Sequence, residues 1–224
     1  MSLAIFDLDN TLIAGDSDHS WGQFMVDKAL VDPEHYRLEN DRFYQDYERG
    51  ELDIHAYLRF SLEPLTRFTP ERLKALHDEF MQSVISPMRL KKAEELLEWH
   101  RARGDYLLII TSTNGFITEP IARALGVDDI MATDAECIDG RYTGQLTGTP
   151  CYQEGKVIRL KEWLLTYNGD MKDSWFYSDS INDLPLLEVV DNPVAVDPDE
   201  PLEATAKERN WAVISLRETS EEAS

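Results

Sequence analysis

The chain has 224 residues, of which 42% are hydrophobic, 10% aromatic and 29% charged, and it carries 43 acidic against 22 basic residues for a formal net charge of -21. This composition fits a globular protein with a packed core and excludes a disordered or fibrous one. The acidic excess, with no dense run of Lys and Arg, argues against nucleic acid as a partner and obliges any phosphate site to create its own local positive charge. Cys137 and Cys151 have neither metal-ligand nor redox spacing, no basic region with an apolar core opens the chain, and no apolar run approaches membrane-spanning length. A cytoplasmic location with no membrane partner is the expectation.

In chain order, Leu3 to Phe6 is a short apolar run ended by Asp-Leu-Asp-Asn-Thr, which predicts a buried strand delivering polar side chains to a loop. From Ser17 to about Ile85 the apolar residues recur at helical spacing: Trp21, Phe24 and Met25, then Tyr36, Phe43, Tyr44 and Tyr47. Asp53 is positioned to cap a third helix carrying Tyr57, Leu58, Leu62 and Leu65, and Thr69-Pro70 to start a fourth with Leu73, Leu76 and Phe80. After Pro87 helices and strands alternate, with strands predicted at Tyr106 to Ile110, Ile130 to Thr133, Ser174 to Tyr177, Pro193 to Val196 and Trp211 to Ile214, and a hairpin at Asp139-Gly140. The fold class is therefore α/β, a doubly wound and mainly parallel sheet, with residues 1–15 and 86–224 as the core and 16–85 as a helical insert. Glu218 to Ser224 reads as a solvated acidic tail.

Ligands of open α/β sheets collect outside the carboxyl ends of the strands. Four polar groups follow predicted strands or open helices: Asp7-Leu-Asp9-Asn-Thr11, Thr111-Ser112, Lys156, and Ser178-Asp179-Ser180-Ile181-Asn182-Asp183. Taken alone, Asp7-x-Asp9 reads more readily as turn or capping chemistry, Thr111 as a cap and Lys156 as a solvated side chain. The five histidines show no metal-ligand spacing and are assigned no chemistry.

Together and in this order the four groups resemble the motifs of the haloacid dehalogenase superfamily, whose opening Asp-x-Asp-x-Thr is matched by Asp7, Asp9 and Thr11. The resemblance implies a Rossmann-like core, an aspartyl-phosphate mechanism and Mg²⁺ as cofactor. It implies Asp7 as nucleophile, Asp9 as general acid and then base, and Lys156 as the neutralising cation. Thr111, Ser112 and Asn182 would bind phosphate, and the metal set would be Asp7, Asp9 through its backbone carbonyl, and Asp179, with Asp183 in support. Within the superfamily the segments Ile110 to Asn114, Arg141 to Gly144 and Asn192 to Val196 resemble the phosphoserine-phosphatase branch, especially bacterial members proposed to act on histidinol phosphate. Asp16, nine residues after Asp7, matches the acidic residue that receives the substrate amine in that branch, although it also reads as a helix cap. Ser61 falls where that branch carries the Arg for the substrate carboxylate, so a phosphorylated amino alcohol fits better than phosphoserine, with Trp21, Tyr44, Tyr47 and Tyr57 as candidates for a ring-stacking wall.

The expected substrate is thus a small phosphomonoester, with histidinol phosphate ahead of phosphoserine. A phosphotransferase using another acceptor stays open. A phospho-acceptor signalling domain also uses strand-end aspartates with a Thr and a Lys, but pairs adjacent acids on its first strand and places the phosphorylated one mid-chain. Here the first strand gives Asp7-x-Asp9, and no comparable acid directly follows Tyr106 to Ile110.

Overall fold

The computed structural model describes residues 2–167 and 169–218; of the expected acidic tail, all but Glu218 lies outside the described residues. Strand β1 (Leu3–Phe6) leads into an insert of helices α1 (Ser17–Asp27), α2 (Pro33–Glu48), α3 (Ile54–Leu62) and α4 (Pro70–Phe80). A π-turn at Met81–Ile85 and the short α5 (Ser86–Met88) return the chain to α6 (Lys91–Ala102), β2 (Tyr106–Asn114), α7 (Gly115–Leu125), β3 (Asp129–Ile138) and β4 (Arg141–Thr147). There follow α8 (Glu154–Leu164), β5 (Trp175–Ser178), α9 (Leu184–Leu187), β6 (Asn192–Val196), α10 (Glu200–Arg209) and β7 (Ala212–Ile214).

The seven strands form one sheet in the order β4-β3-β2-β1-β5-β6-β7. All neighbours are parallel except the β3/β4 hairpin, which turns at Asp139 and Gly140, both at positive φ as a tight hairpin of this kind requires. Because β1 is central, its four residues are fully buried and read as an uninterrupted apolar run. Alternate residues go to opposite faces. Ala4, Phe6, Leu107, Ile109 and Tyr177 share a cluster with the insert residues Trp21, Leu58, Leu62 and Phe80. Leu3, Ile5, Leu108, Ile110 and Phe176 pack on the other side with Leu160, Leu187 and Leu202. The insert helices therefore bury their apolar faces in the same cluster as one sheet face.

The caps read from the sequence are present. Asp53 accepts from the Ala56 N–H at 3.0 Å and Thr69 from the Arg72 N–H at 3.3 Å, and Pro70 opens α4. Two strands run further than expected. β2 continues past Ile110 to Asn114 with an irregular register against β3, and β3 continues to Ile138 because β4 supplies its partner. The polar run Thr111-Ser112-Thr113 hides this in the sequence, since a pattern of apolar residues ends where the site begins. The chain leaves β1 toward β2 on one side and reaches β5 on the other, so a crevice opens at the carboxyl ends of β1, β2 and β5.

Candidate active site

Asp7 follows the last residue of β1, and its N–H donates to the Tyr177 carbonyl of β5 at 2.9 Å. This holds the Asp7 carboxylate at the centre of the crevice, 4% exposed. Lys156, in the first turn of α8 and 1% exposed, places Nζ 2.7 Å from Asp7 Oδ1 and 2.7 Å from Asp183 Oδ1. Ser178 Oγ donates to Asp183 Oδ2 at 2.7 Å. On the other side, Thr11 Oγ1 donates to Asp179 Oδ1 at 3.0 Å. Asp9 turns from Asp7 toward the insert: its Oδ1 accepts from the Ser17 N–H at 2.6 Å and its Oδ2 from Thr113 Oγ1 at 2.9 Å. Asp16 caps α1, accepting from the His19 N–H at 2.8 Å, and also lines the cleft.

Burial decides the electrostatics. It pushes Asp7 up to about 7, against the attraction of Lys156 and with the charge of Asp183 in the same direction. Asp9 is likewise raised to about 7 by burial and by Asp16, opposed by the Ser17 and Thr113 donors. Burial also raises Asp16 and carries Asp18 to about 8, with Asp16 adding to the latter. Asp179 is held well above the usual carboxylate range by burial and by the charges of Asp7 and Asp183. Lys156 is raised because Asp183 and Asp7 outweigh its own burial, so it stays charged. The site holds more carboxylate than its lysine can neutralise.

The cleft is lined by Asp7, Asp9 and Asp179, by Asp16, Asp18 and His19, and by Tyr44, Tyr47 and Tyr57. Among its described lining residues five are Asp and none is Lys or Arg. Of the residues predicted from sequence, Asp7, Asp9, Asp16, Ser112 and Asp179 line the cleft, while Lys156 and Asp183 are buried with Asp7 at its floor. Thr111 is buried and its Oγ1 accepts from the Thr113 N–H at 3.2 Å. Asn182 also joins insert to core: its Nδ2 donates to the Tyr47 carbonyl at 3.0 Å and its Oδ1 accepts from Tyr152 and Gln153. Trp21 packs against Phe24, His77, Phe80 and Phe116 in the core, away from the cleft. Ser61 does not line it either, and its buried hydroxyl has no hydrogen-bond partner among the described residues. Thr113, Asp18 and His19 are cleft residues that sequence reasoning missed; the hydroxyl after Ser112 and the acid within the first turn of α1 were the available signals.

The donor set suits a hard divalent cation. Asp7 and Asp179 repel each other in a buried site, and Asp179 has the Thr11 hydroxyl as a donor where a cation would offset its charge. Among the described residues no three His, Cys, Asp or Glu side chains form a metal-holding group. A divalent ion here would thus take two carboxylates plus backbone and water oxygens, the arrangement Mg²⁺ commonly adopts.

Residues 4–188 match the family model for haloacid dehalogenase-like hydrolases. The chain is 46% identical to a histidinol-phosphatase of Neisseria meningitidis, over 96% of this chain and 99% of that protein. It is 30% identical to the phosphoserine phosphatase SerB1 of Mycobacterium tuberculosis, over 96% of this chain and 70% of that one. A crystal structure of a Bordetella pertussis protein of unknown function superposes with a TM-score of 0.91 at 44% identity, covering 96% of this chain and 99% of the other. A substrate-bound phosphoserine phosphatase shares the fold with a TM-score of 0.71 at 17% identity, over 96% and 93% of the two chains. No helix among the described residues is long and apolar enough to cross a membrane. The chain belongs to the haloacid dehalogenase-like hydrolase family, as a phosphomonoester hydrolase of the phosphoserine-phosphatase-like kind.

Proposed function

We propose that the protein hydrolyses histidinol phosphate through an aspartyl phosphate on Asp7. The observation that carries the substrate reading is the cleft beyond Asp7, where Asp16, Asp18 and three tyrosine rings meet with no Lys or Arg among the described lining residues. A carboxylate-bearing ester such as phosphoserine would bury its acid there without a cation. An ammonium and an aromatic ring both find partners. The 46% identity to a histidinol-phosphatase supports the same substrate. Residues 16–85 act as the cap over a core of 1–15 and 86–224, because the insert supplies every one of these substrate-facing groups.

Lys156 holds Asp7 Oδ1, which leaves Oδ2 to attack. Its bond to phosphorus forms as the ester P–O bond breaks, and the departing alkoxide takes the proton of Asp9. With its proton held up to about 7, Asp9 carries that acid near neutral pH. Asp9, now ionised, deprotonates water, which attacks phosphorus and frees Asp7 and inorganic phosphate. Asp7, Asp179 and the Asp9 backbone carbonyl would hold Mg²⁺, which neutralises charge on the phosphoryl oxygens when bound. Asp183 supports the set from below, its carboxylate engaged by Lys156 and Ser178. Ser112 and Asp16, which both line the cleft, would donate to phosphate and receive the ammonium group respectively.

Specificity constants over a panel of histidinol phosphate, phosphoserine, phosphoethanolamine, sugar phosphates and nucleotides test this reading. Histidinol phosphate should lead phosphoserine by at least about 100-fold, the scale of discrimination when a charged group lacks its partner. A preference for phosphoserine would overturn the substrate assignment.

A further inference from the structure

Asp18 has a place that helix formation alone does not require. An acid in the first turn of a helix is favourable on the surface, but Asp18 is 8% exposed and lines the cleft. Burying a carboxylate costs several kcal/mol unless charge or hydrogen bonds compensate it. The Tyr57 hydroxyl is the group that favours its ionised form. A carboxylate has about four acceptor sites, so one hydroxyl leaves cleft-facing capacity open. The start of α1 is fixed at the acids after β1, where the Ser17 N–H donates to Asp9 Oδ1 at 2.6 Å. Asp18, one residue on, lines the cleft together with Tyr57 and Phe43, whose rings pack edge-on at 5.3 Å.

We propose that Asp18 is a specificity-determining residue that accepts a hydrogen bond from a second nitrogen of the substrate, so that the cleft selects phosphomonoesters with two nitrogen functions. This rests on the reading of the cleft given above and extends it. Asp7 marks the phosphoryl end, Asp16 the amine, and Asp18 with Tyr57 the ring nitrogen of an imidazole. A nitrogen-free ring of the same size would fill the aromatic wall and leave Asp18 buried without its partner.

The test compares histidinol phosphate with phenylalaninol phosphate, which keeps the skeleton and amine but carries phenyl in place of imidazole. Wild-type enzyme should prefer the imidazole ester, and Asp18→Asn should reduce that preference by about tenfold, mainly through KM, since a lost or misdirected hydrogen bond to a buried group has about that effect. Asp16→Asn should lower turnover of both esters together. If Asp18→Asn does not fold, Tyr57→Phe, which removes the hydroxyl orienting Asp18, should shrink the same preference to a lesser degree. An unchanged preference in the variant that folds would overturn the role of Asp18 while leaving histidinol phosphate as substrate. Wild-type enzyme that turns over neither amino alcohol ester better than p-nitrophenyl phosphate would instead overturn the substrate reading, and this inference with it.

Discussion

At the scale of single residues, two aspartates two positions apart are both raised to about 7 by burial but receive different partners from the same fold. Lys156 lies 2.7 Å from Asp7, a charged contact that favours its ionised form. Asp9 has hydroxyl and amide donors instead, and Asp16 nearby adds to burial in holding its proton. In the proposed mechanism the carboxyl beside the lysine attacks and the other protonates. Asp9→Asn should reduce turnover of alkyl phosphates by about 10²–10³, within the usual worth of general acid catalysis, and that of p-nitrophenyl phosphate much less, because a stable phenolate leaves without a proton. Steady-state kcat on the two classes measures this, and equal losses would remove Asp9 from that role. The Asp-x-Asp-x-Thr spacing made both residues legible in the sequence. Their partners were less so: Thr113 and Ser17 meet Asp9 only because β2 and α1 converge on the loop after β1.

Among elements, the join between insert and core matters most. Tyr47 ends its contact with the core through a carbonyl that accepts from Asn182 Nδ2, and Asn182 Oδ1 accepts from Tyr152 and Gln153 in the segment before α8. Gln153 adopts φ 49° and ψ −122°, a backbone region that costs a non-glycine residue energy and persists where neighbours enforce it. Asn182→Ala should loosen this join by about 1 kcal/mol, a typical net hydrogen bond, and so speed amide hydrogen exchange in segment 47–52 by about fivefold. Exchange there identical to wild type would show that Asn182 does not hold the insert down. From sequence Asn182 read as a phosphate donor; its bonds to the insert were not legible, since a side chain after a strand end does not reveal which neighbouring loop it faces. Helix starts were legible because caps are local chemistry. The ends of β2 and β3 were not, because strand length here depends on pairing with distant chain.

For the whole molecule, the net charge of -21 sets how substrates arrive. A dianionic ester approaches against that field, whereas histidinol phosphate carries compensating nitrogens and feels it little. Raising salt from about 10 to 150 mM shortens the screening length from about 30 to about 8 Å. kcat/KM for p-nitrophenyl phosphate should therefore rise with salt, while that for histidinol phosphate changes by less than about twofold. Parallel responses would mean that the global field does not act at this cleft. The mainly parallel, doubly wound sheet and the insert after the first strand were both legible at this scale, because alternating helices and strands leave few ways to wind a sheet, whereas the strand order was not legible. The shared cluster joining insert helices to one sheet face was not, since periodicity shows that a face is apolar but not what covers it.

The central claim is the covalent role of Asp7, and it is tested most directly by acid-quenching the Mg²⁺-loaded enzyme during turnover and mapping phosphate by peptide mass spectrometry. The account predicts phosphate on the peptide carrying Asp7, localised to that side chain, and its disappearance together with turnover in Asp7→Asn. Phosphate found on another residue, or wild-type-like turnover by Asp7→Asn, would contradict it.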